Sequence, residues 1–499
     1  MNSYGKSSRD AVDALLKLTA FFSVFIVILL AAKKMLDTPT IWHTSFLSGV
    51  FALAKGQVLY QGLHLSKPLL SAIYPPMAYL AYLPVTIAGT PTLAVMIGRV
   101  FAALYFFVPF VLALKWTPRR FPPGILLSAF GVFALMVFYL LPLVETAFAV
   151  NADAPALGFG AMACVLIYSA GEEPGNARLF LAAFFAVLSV WSKQVMAPLP
   201  LALAFFLWKR YRAGICLKYL LFLLIGGSGV SGFFLAAFGA HPIFFHTLYI
   251  PSHHPWNSSN PLTAIGDAFK EFSLFAAIPL ILPLAAIFIN ITENDEAPSL
   301  RAWLGRNHWA VFFITGLALI PLSLLGRVKV GGAHNTFSYS IYFLAISGVL
   351  ALIHLHERQA KALLVTLLCV FLFIKIPSLS VFFQRMKEFY PNYASVSYAY
   401  IKNHPREAYF PCEPLSELLA EGSFLHVRAG LEERELAGVP VDRANFLETL
   451  PFSFKKVVFP PNIPPRVPAS EDSVLKYLPE YKHRVDDPEL PGWYVYEKS

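Results

Sequence analysis

Charge is scarce in this sequence. Lys, Arg, Asp and Glu make up 14% of its 499 residues, against about 25% in soluble globular chains. That deficit excludes a large soluble enzyme. The 57% hydrophobic content and the mean hydropathy of +0.59 point to a polytopic membrane protein. Cysteine is scarcer still. Of the four, Cys164, Cys216 and Cys369 lie in apolar runs and Cys412 stands alone, so neither a disulfide framework nor a zinc spacing is readable. The first apolar run has no small-residue cleavage site after it, and an uncleaved first span is expected. Solenoid-type repeats are also lacking. The net charge of +9 would suit nucleic acid in a soluble protein. In a membrane protein Lys and Arg gather in inside loops for topological reasons, and no nucleic-acid partner is expected.

Apolar runs near the length of a span lie at 17–35, 93–114, 122–142, 154–170, 178–195, 197–208, 218–238, 272–291, 308–325, 337–355 and 362–379. The fold expected is a polytopic α-helical membrane protein of about eleven transmembrane helices. Segment 72–89, "AIYPPMAYLAYLPVTIAG", is broken by Pro75, Pro76 and Pro84 and is rich in Tyr, so it reads as interfacial. With the N-terminus inside, every inside turn is basic: Lys6, Arg9 and Lys17; Lys115, Arg119 and Arg120; Arg178; Lys209, Arg210, Arg212 and Lys218; Arg301 and Arg306; Arg358 and Lys361. Lys33 and Lys34, at the outer end of the first span, run against this pattern. A transmembrane domain over 1–379 and a small outer α/β domain over 380–499 follow, the latter with strand-like "KKVVF" and "GWYVYEK".

This topology collects the unusual residues on one face. The first outer loop, about 36–92, is long, and two amphipathic helices are expected in it. Glu145 and Asp153 flank the second outer loop, Lys193 and Gln194 close the fifth span, and Arg99 lies near the same face. "HTLYIPSHHPWNSSN" brings His253, His254 and Trp256; "GRVKVGGAHNTFSY" brings Arg327, Lys329 and Asn335. Each has a plainer alternative: Lys193 as a snorkelling interface lysine, Asp153 as a helix N-cap, Arg99 as the partner of Glu145 or Asp153, and Gly331-Gly332 as an ordinary turn. His253-His254 has no carboxylate at a metal-ligand spacing, and no metal or other cofactor is called for. As a set, cations beside carboxylates suit a lipid phosphate at a membrane surface.

The set resembles the GT-C class of membrane glycosyltransferases, whose relatives include protein O-mannosyltransferases and the lipid A aminoarabinose transferase. "FALAKGQVLYQG" (51–62, with Tyr60) is similar to that class's Gly-x-x-Tyr stretch, and "YPPMAYL" (74–80, with Tyr74) to its Pro-Pro aromatic segment. "GRVFAAL" (98–104), "NADAPALGF" (151–159), "SKQ" (192–194) and "KVGGAHNTFSY" (329–339) resemble further motifs in the same order. The resemblance implies transfer of a sugar from a polyprenyl phosphate, with inversion, to a glycan, lipid or protein acceptor at the outer face of a bacterial inner membrane. It implies a carboxylate base at Asp153, donor-phosphate cations at Lys193, Arg99, Arg327 and Lys329, and substrate or lipid contacts from Tyr60, Tyr74, Gln194, His253, His254, Trp256 and Asn335. One departure stands out. The class carries an acid shortly before the Gly-x-x-Tyr stretch, whereas this chain reads "IWHTSFLSG", so Asp37 and His43 compete with Asp153 for the role of base. A non-catalytic protein that binds or presents a lipid-linked glycan is the second reading. A transporter is the third, disfavoured because the polar residues gather at one end rather than at mid-membrane.

Overall fold

The structure is a computed structural model that describes residues 2–60, 72–292, 299–385 and 392–498, apart from 426, 440, 449, 451–453 and 466–471. Each of the eleven apolar runs falls on a helix. Several open on proline, whose missing N–H is not needed in a first turn. Pro91 starts the helix Pro91–Lys115, and Thr90 caps it by accepting from Leu93 N at 3.3 Å.

Among the described residues, six helices are long and apolar enough to cross a membrane, or seven if a bent pair counts as one. Helices Asp153–Tyr168, Asn176–Ser192 and Pro198–Arg210 have 16, 17 and 13 residues. At 1.5 Å per residue they reach roughly 20–26 Å, short of the hydrocarbon thickness of about 30 Å. Apolar composition revealed these helices, but it did not reveal where each one stops. The run 122–142 is also interrupted: Pro123–Tyr139 and Leu141–Phe148 meet at 98°. Leu140 is extended there, and Pro142 near the start of the second piece has no N–H to give the first. The chain is an integral membrane protein by these helices and by the fold described below.

The helix Ser338–Ile353 is buried along its whole length and forms the axis of the bundle. Ala213–Phe238 is the opposite case, with only 6% of its apolar window buried, so its sides face lipid. In the first outer loop, Ile41–Ala54 is a helix, but it is not amphipathic: His43 through Ala52 are all buried. The C-terminal tail covers it. Leu415, Leu418 and Phe424 join Phe46, Leu47, Val50 and Phe51 in one apolar cluster. The second helix expected in this loop lies partly in 61–71, outside the described residues. Segment 72–89 contains only Pro76–Leu80 and a 3-10 turn, Leu83–Ile87, both too short to cross.

In the tail, both strand-like segments are strands. β1 (Ala408–Tyr409), β2 (Lys456–Phe459), β3 (Tyr481–Val485) and β4 (Tyr494–Lys498) form one sheet in the order β1-β2-β4-β3. β1 runs parallel to β2, and the other pairs are antiparallel, with Val457 opposite Tyr496 and Val458 opposite Val495. The helix Pro414–Glu421 then presses onto Ile41–Ala54, burying Glu413 next to Thr44. Burial pushes the Glu413 carboxyl up to about 8, against a smaller opposing effect of the Thr44 hydroxyl. Folded Glu413 therefore keeps its proton at neutral pH, while the unfolded chain gives it up above its ordinary pKa of 4.5. Folding stability is full below 4.5 and is lost as pH rises through 8. Glu413→Gln, neutral throughout, should raise the melting temperature at pH 7.5 and leave it unchanged at pH 4.5. The difference should grow by up to about 1.4 kcal/mol per pH unit between those limits. An equal shift at both pH values would show that Glu413 is ionised in the folded protein.

Candidate functional site

Asp153 opens the helix Asp153–Tyr168, directly after the loop that follows the bent pair. Its backbone N–H donates to Asn151 Oδ1 at 3.0 Å, and its side chain makes no cap bond. The carboxylate instead faces inward, 1% exposed, and gathers three donors. Lys193 Nζ and Tyr339 OH donate to Oδ1, and Asn335 Nδ2 donates to Oδ2 at 2.6 Å.

Those donors come from three separate segments, each shaped to deliver them. Lys193 ends the helix Asn176–Ser192 in an extended conformation, which turns its side chain into the bundle and leaves it 13% exposed. It is therefore not a snorkelling lysine. Its ammonium lies 5.0 Å from the Tyr74 ring and 5.1 Å from the Tyr339 ring, which confine it between two π-faces. Asn335 sits in the 3-10 turn His334–Phe337, just after the two glycines. Gly331 has φ +88°, and a Cβ on Gly332 would stand 2.2 Å from the Gly326 carbonyl oxygen. This turn admits no side chain at Gly332, and it aims Asn335 at Asp153. Tyr339 begins the buried axial helix.

The neighbouring groups extend the site. Gln194 Nε2 donates to Thr247 O at 2.8 Å, while its Oε1 is buried without a partner among the described residues. Thr247 belongs to a π-helical turn, Phe245–Tyr249, of the kind found often at functional sites. Tyr60 OH donates to Tyr74 O at 2.6 Å and fixes that aromatic segment; Gln61 and Gly62 of the same motif lie outside the described residues. Burial first, then the charges of Asp153 and Glu433, hold the Tyr74 phenol above its ordinary range, so it stays protonated.

Glu433 was not visible from sequence. It lies in the tail helix Arg428–Leu436, and its Oε2 is 2.9 Å from His254 Nε2. Burial lowers the His254 pKa, but the hydrogen bond and charge of Glu433 outweigh it, and the net shift is upward. Lys329 holds the same loop by donating to Ser252 O at 3.1 Å and His254 O at 2.9 Å, and it lies 5.2 Å from the Trp256 ring. His253 is exposed, stacked on Tyr249 at 3.9 Å, and takes no part in the Asp153 cluster.

Four residues expected here, Arg99, Asp37, His43 and Arg327, are engaged elsewhere. Arg99 pairs with neither Glu145 nor Asp153. It donates to the carbonyls of Met35 at 3.0 Å, Thr38 at 3.2 Å and Asp37, closing the end of the first helix. The Asp37 carboxylate accepts from Lys34 at 2.9 Å, far out on the partly exposed helix end. His43 is buried, and its Nδ1 accepts from Thr40 N at 3.3 Å. Burial, then the Arg99 charge, lowers its pKa to about 3, which makes it a weak base at neutral pH. Arg327 donates to Glu271 at 2.7 Å, and His334 lies on the same carboxylate at 2.7 Å. Among the described residues neither Asp37 nor His43 touches Asp153.

The fold around this cluster is ArnT-like. It is similar to ArnT from Cupriavidus metallidurans in two crystal structures. With undecaprenyl phosphate bound, that protein is 12% identical over 96% of this chain and 97% of its own, with a TM-score of 0.55. In the apo state it is 14% identical over 99% and 98%, with a TM-score of 0.52. No sequence-family model and no curated protein matches the chain.

Removing one member of a buried, hydrogen-bonded ion pair strands the other, at a cost of about 3–5 kcal/mol. Asp153→Asn and Lys193→Met should each lower the melting temperature sharply, and the double variant should lose much less than the sum. Additive losses in that cycle would mean the two side chains do not interact.

Proposed function

We propose that this protein transfers a sugar from a polyprenyl phosphate to an acceptor at the Asp153 end of the bundle, which the positive-inside pattern puts outside. The observation that carries the reading is the buried Asp153–Lys193 pair, cupped by Tyr74 and Tyr339 and steadied by Asn335. The acceptor oxygen attacks the anomeric carbon, the bond from that carbon to the phosphate oxygen breaks, and the electron pair leaves with the lipid phosphate. Charge grows on that phosphate in the transition state, and a cation already held in place stabilises it without reorganisation. Lys193 suits that task; Lys329 holds the carbonyls of Ser252 and His254 and is not assigned to the phosphate. Arg99 and Arg327 drop out of the proposal because carbonyls and Glu271 occupy them.

The acceptor proton needs a carboxylate. Three donors already engage the Asp153 oxygens, which leaves them poorly placed to reach that proton. Its part in the proposal is to hold Lys193 and to orient the acceptor hydroxyl. Glu433 carries the paired imidazole of His254, and its charge acts on the same Tyr74 phenol, so it is the carboxylate we assign to the proton. The same saturation of Asp153 favours one other reading, a protein that binds and presents the lipid-linked sugar without transferring it. The likeness to ArnT with undecaprenyl phosphate bound supports the polyprenyl-phosphate side of both readings. A periplasmic tail facing the acceptor belongs to the proposal as well.

Mass spectrometry of cell-surface glycans, with and without the gene, tests this directly. One sugar residue should vanish without the gene, and Lys193→Ala or Asp153→Asn should cut transfer by on the order of 10²–10³-fold. Glu433→Gln should lower kcat while leaving donor affinity unchanged. If glycans are identical with and without the gene while polyprenyl phosphate still binds, the presenting role is correct instead.

A further inference from the structure

We propose a second ligand site at the opposite end of the helix bundle, where a cavity of about 610 Å³ takes the phosphate headgroup of an anionic phospholipid. The helix Asp153–Tyr168 separates the two sites. Its 16 residues span about 24 Å, with Asp153 at one end and the cavity wall Gly171, Glu172 and Glu173 just past the other. Arg210, Arg212 and Arg301 converge there from two different segments, beside His308.

Arg210 is the central group. It is 6% exposed, and its Nη2 donates to the carbonyls of Ala170 and Gly171, both at 3.1 Å, and lies 2.9 Å from His308 Nε2. Its Nη1 is buried without a partner, and no carboxylate pairs with it among the described residues. A buried guanidinium N–H left unpaired is costly, and a phosphate oxygen satisfies both its hydrogen bond and its charge. Among the described residues Arg301 spends only Nε, on Arg210 O at 3.3 Å, which leaves the rest of its fork for the ligand. Burial, then the Arg210 charge, holds His308 below its ordinary pKa, and its ring nitrogens lie against Tyr168 O at 3.0 Å and Gly305 O at 2.9 Å, so it steadies Arg210 rather than meeting the ligand. Arg212 and Glu173 form an exposed pair at 2.8 Å that marks the rim and is weak enough to open.

Inorganic phosphate would share the same chemistry, but the surroundings favour a lipid. Leu201 and Phe205 are exposed on the helix that ends in Arg210, four residues apart on one face, and Trp208 lies exposed at its end. Leu217, Leu221 and Leu224 are exposed on the neighbouring helix Ala213–Phe238. Two lipid-facing surfaces therefore lead to the cavity, and an exposed tryptophan marks headgroup depth. Basic pockets between helices on the inner side of a membrane are a known way to hold acidic headgroups.

The test uses the full chain purified in neutral detergent, exchanged into mixed micelles containing phosphatidylglycerol or phosphatidylcholine, with native mass spectrometry counting bound lipid. Phosphatidylglycerol should be retained preferentially. Arg212→Gln with Arg301→Gln should reduce that preference by roughly fivefold per arginine. Lys115→Gln with Arg120→Gln removes equal charge from another inside turn and should leave it intact. Melting temperature in lipid-free detergent checks that each variant is folded. Equal retention of both lipids, equal losses in the two double variants, or inorganic phosphate displacing phosphatidylglycerol at equal concentration would each overturn the assignment.

Discussion

A carboxylate and an ammonium in contact inside a membrane protein are stable only if nearly every remaining hydrogen-bonding position is filled. Asp153 and Lys193 meet that condition. Oxygen lone pairs of Asp153 are taken by Tyr339 and Asn335, and the ammonium of Lys193 lies between the rings of Tyr74 and Tyr339. Much of the surrounding architecture serves this pair. The bent helices deliver Asp153, the break after Ser192 turns Lys193 inward, and the Gly331-Gly332 turn aims Asn335. Desolvation makes the pair costly to build, which is why such a pair more often marks function than stability.

The tail is bound into the same arrangement. Its helix Pro414–Glu421 buries the helix of the first outer loop, and Asn392 Nδ2 donates to Thr92 Oγ1 at 2.8 Å. Arg428–Leu436 adds Glu433 to the edge of the site through His254. The acid that the resemblance implies in the first loop is missing, and Thr44, in that stretch, instead meets a buried carboxyl of the tail, Glu413. A buried acid at about 8 is neutral under most conditions, so Glu413 supports packing rather than charge.

Several of these features were legible in the sequence, each for a physical reason. Long apolar runs revealed the helices, and "KKVVF" and "GWYVYEK" carry the β-branched and aromatic residues that strands favour. Asp153, Lys193 and Asn335 stood out because polar groups between apolar runs are expensive, and the structure brings all three together. Tyr339 did not stand out, since a tyrosine in an apolar run reads as packing until its hydroxyl is seen. Arg99 and Arg327 were over-read: a charge near the right face says nothing about the carbonyls or the Glu271 that occupy it. Glu433 could not be found by local pattern, because 280 residues separate it from Asp153 and no motif marks it. Helix length was less legible: composition stays apolar through three helices of only 13–17 residues.

On the proposed reading, Lys193, held by Asp153, receives a lipid phosphate. The most direct measurement is an experimental structure of the full chain with polyprenyl phosphate bound. A phosphate oxygen should lie within hydrogen-bond distance of Lys193 Nζ, with Asp153 still holding that ammonium and Tyr74 against the lipid. A phosphate bound elsewhere, with the Asp153–Lys193 pair closed off and unchanged, would contradict it.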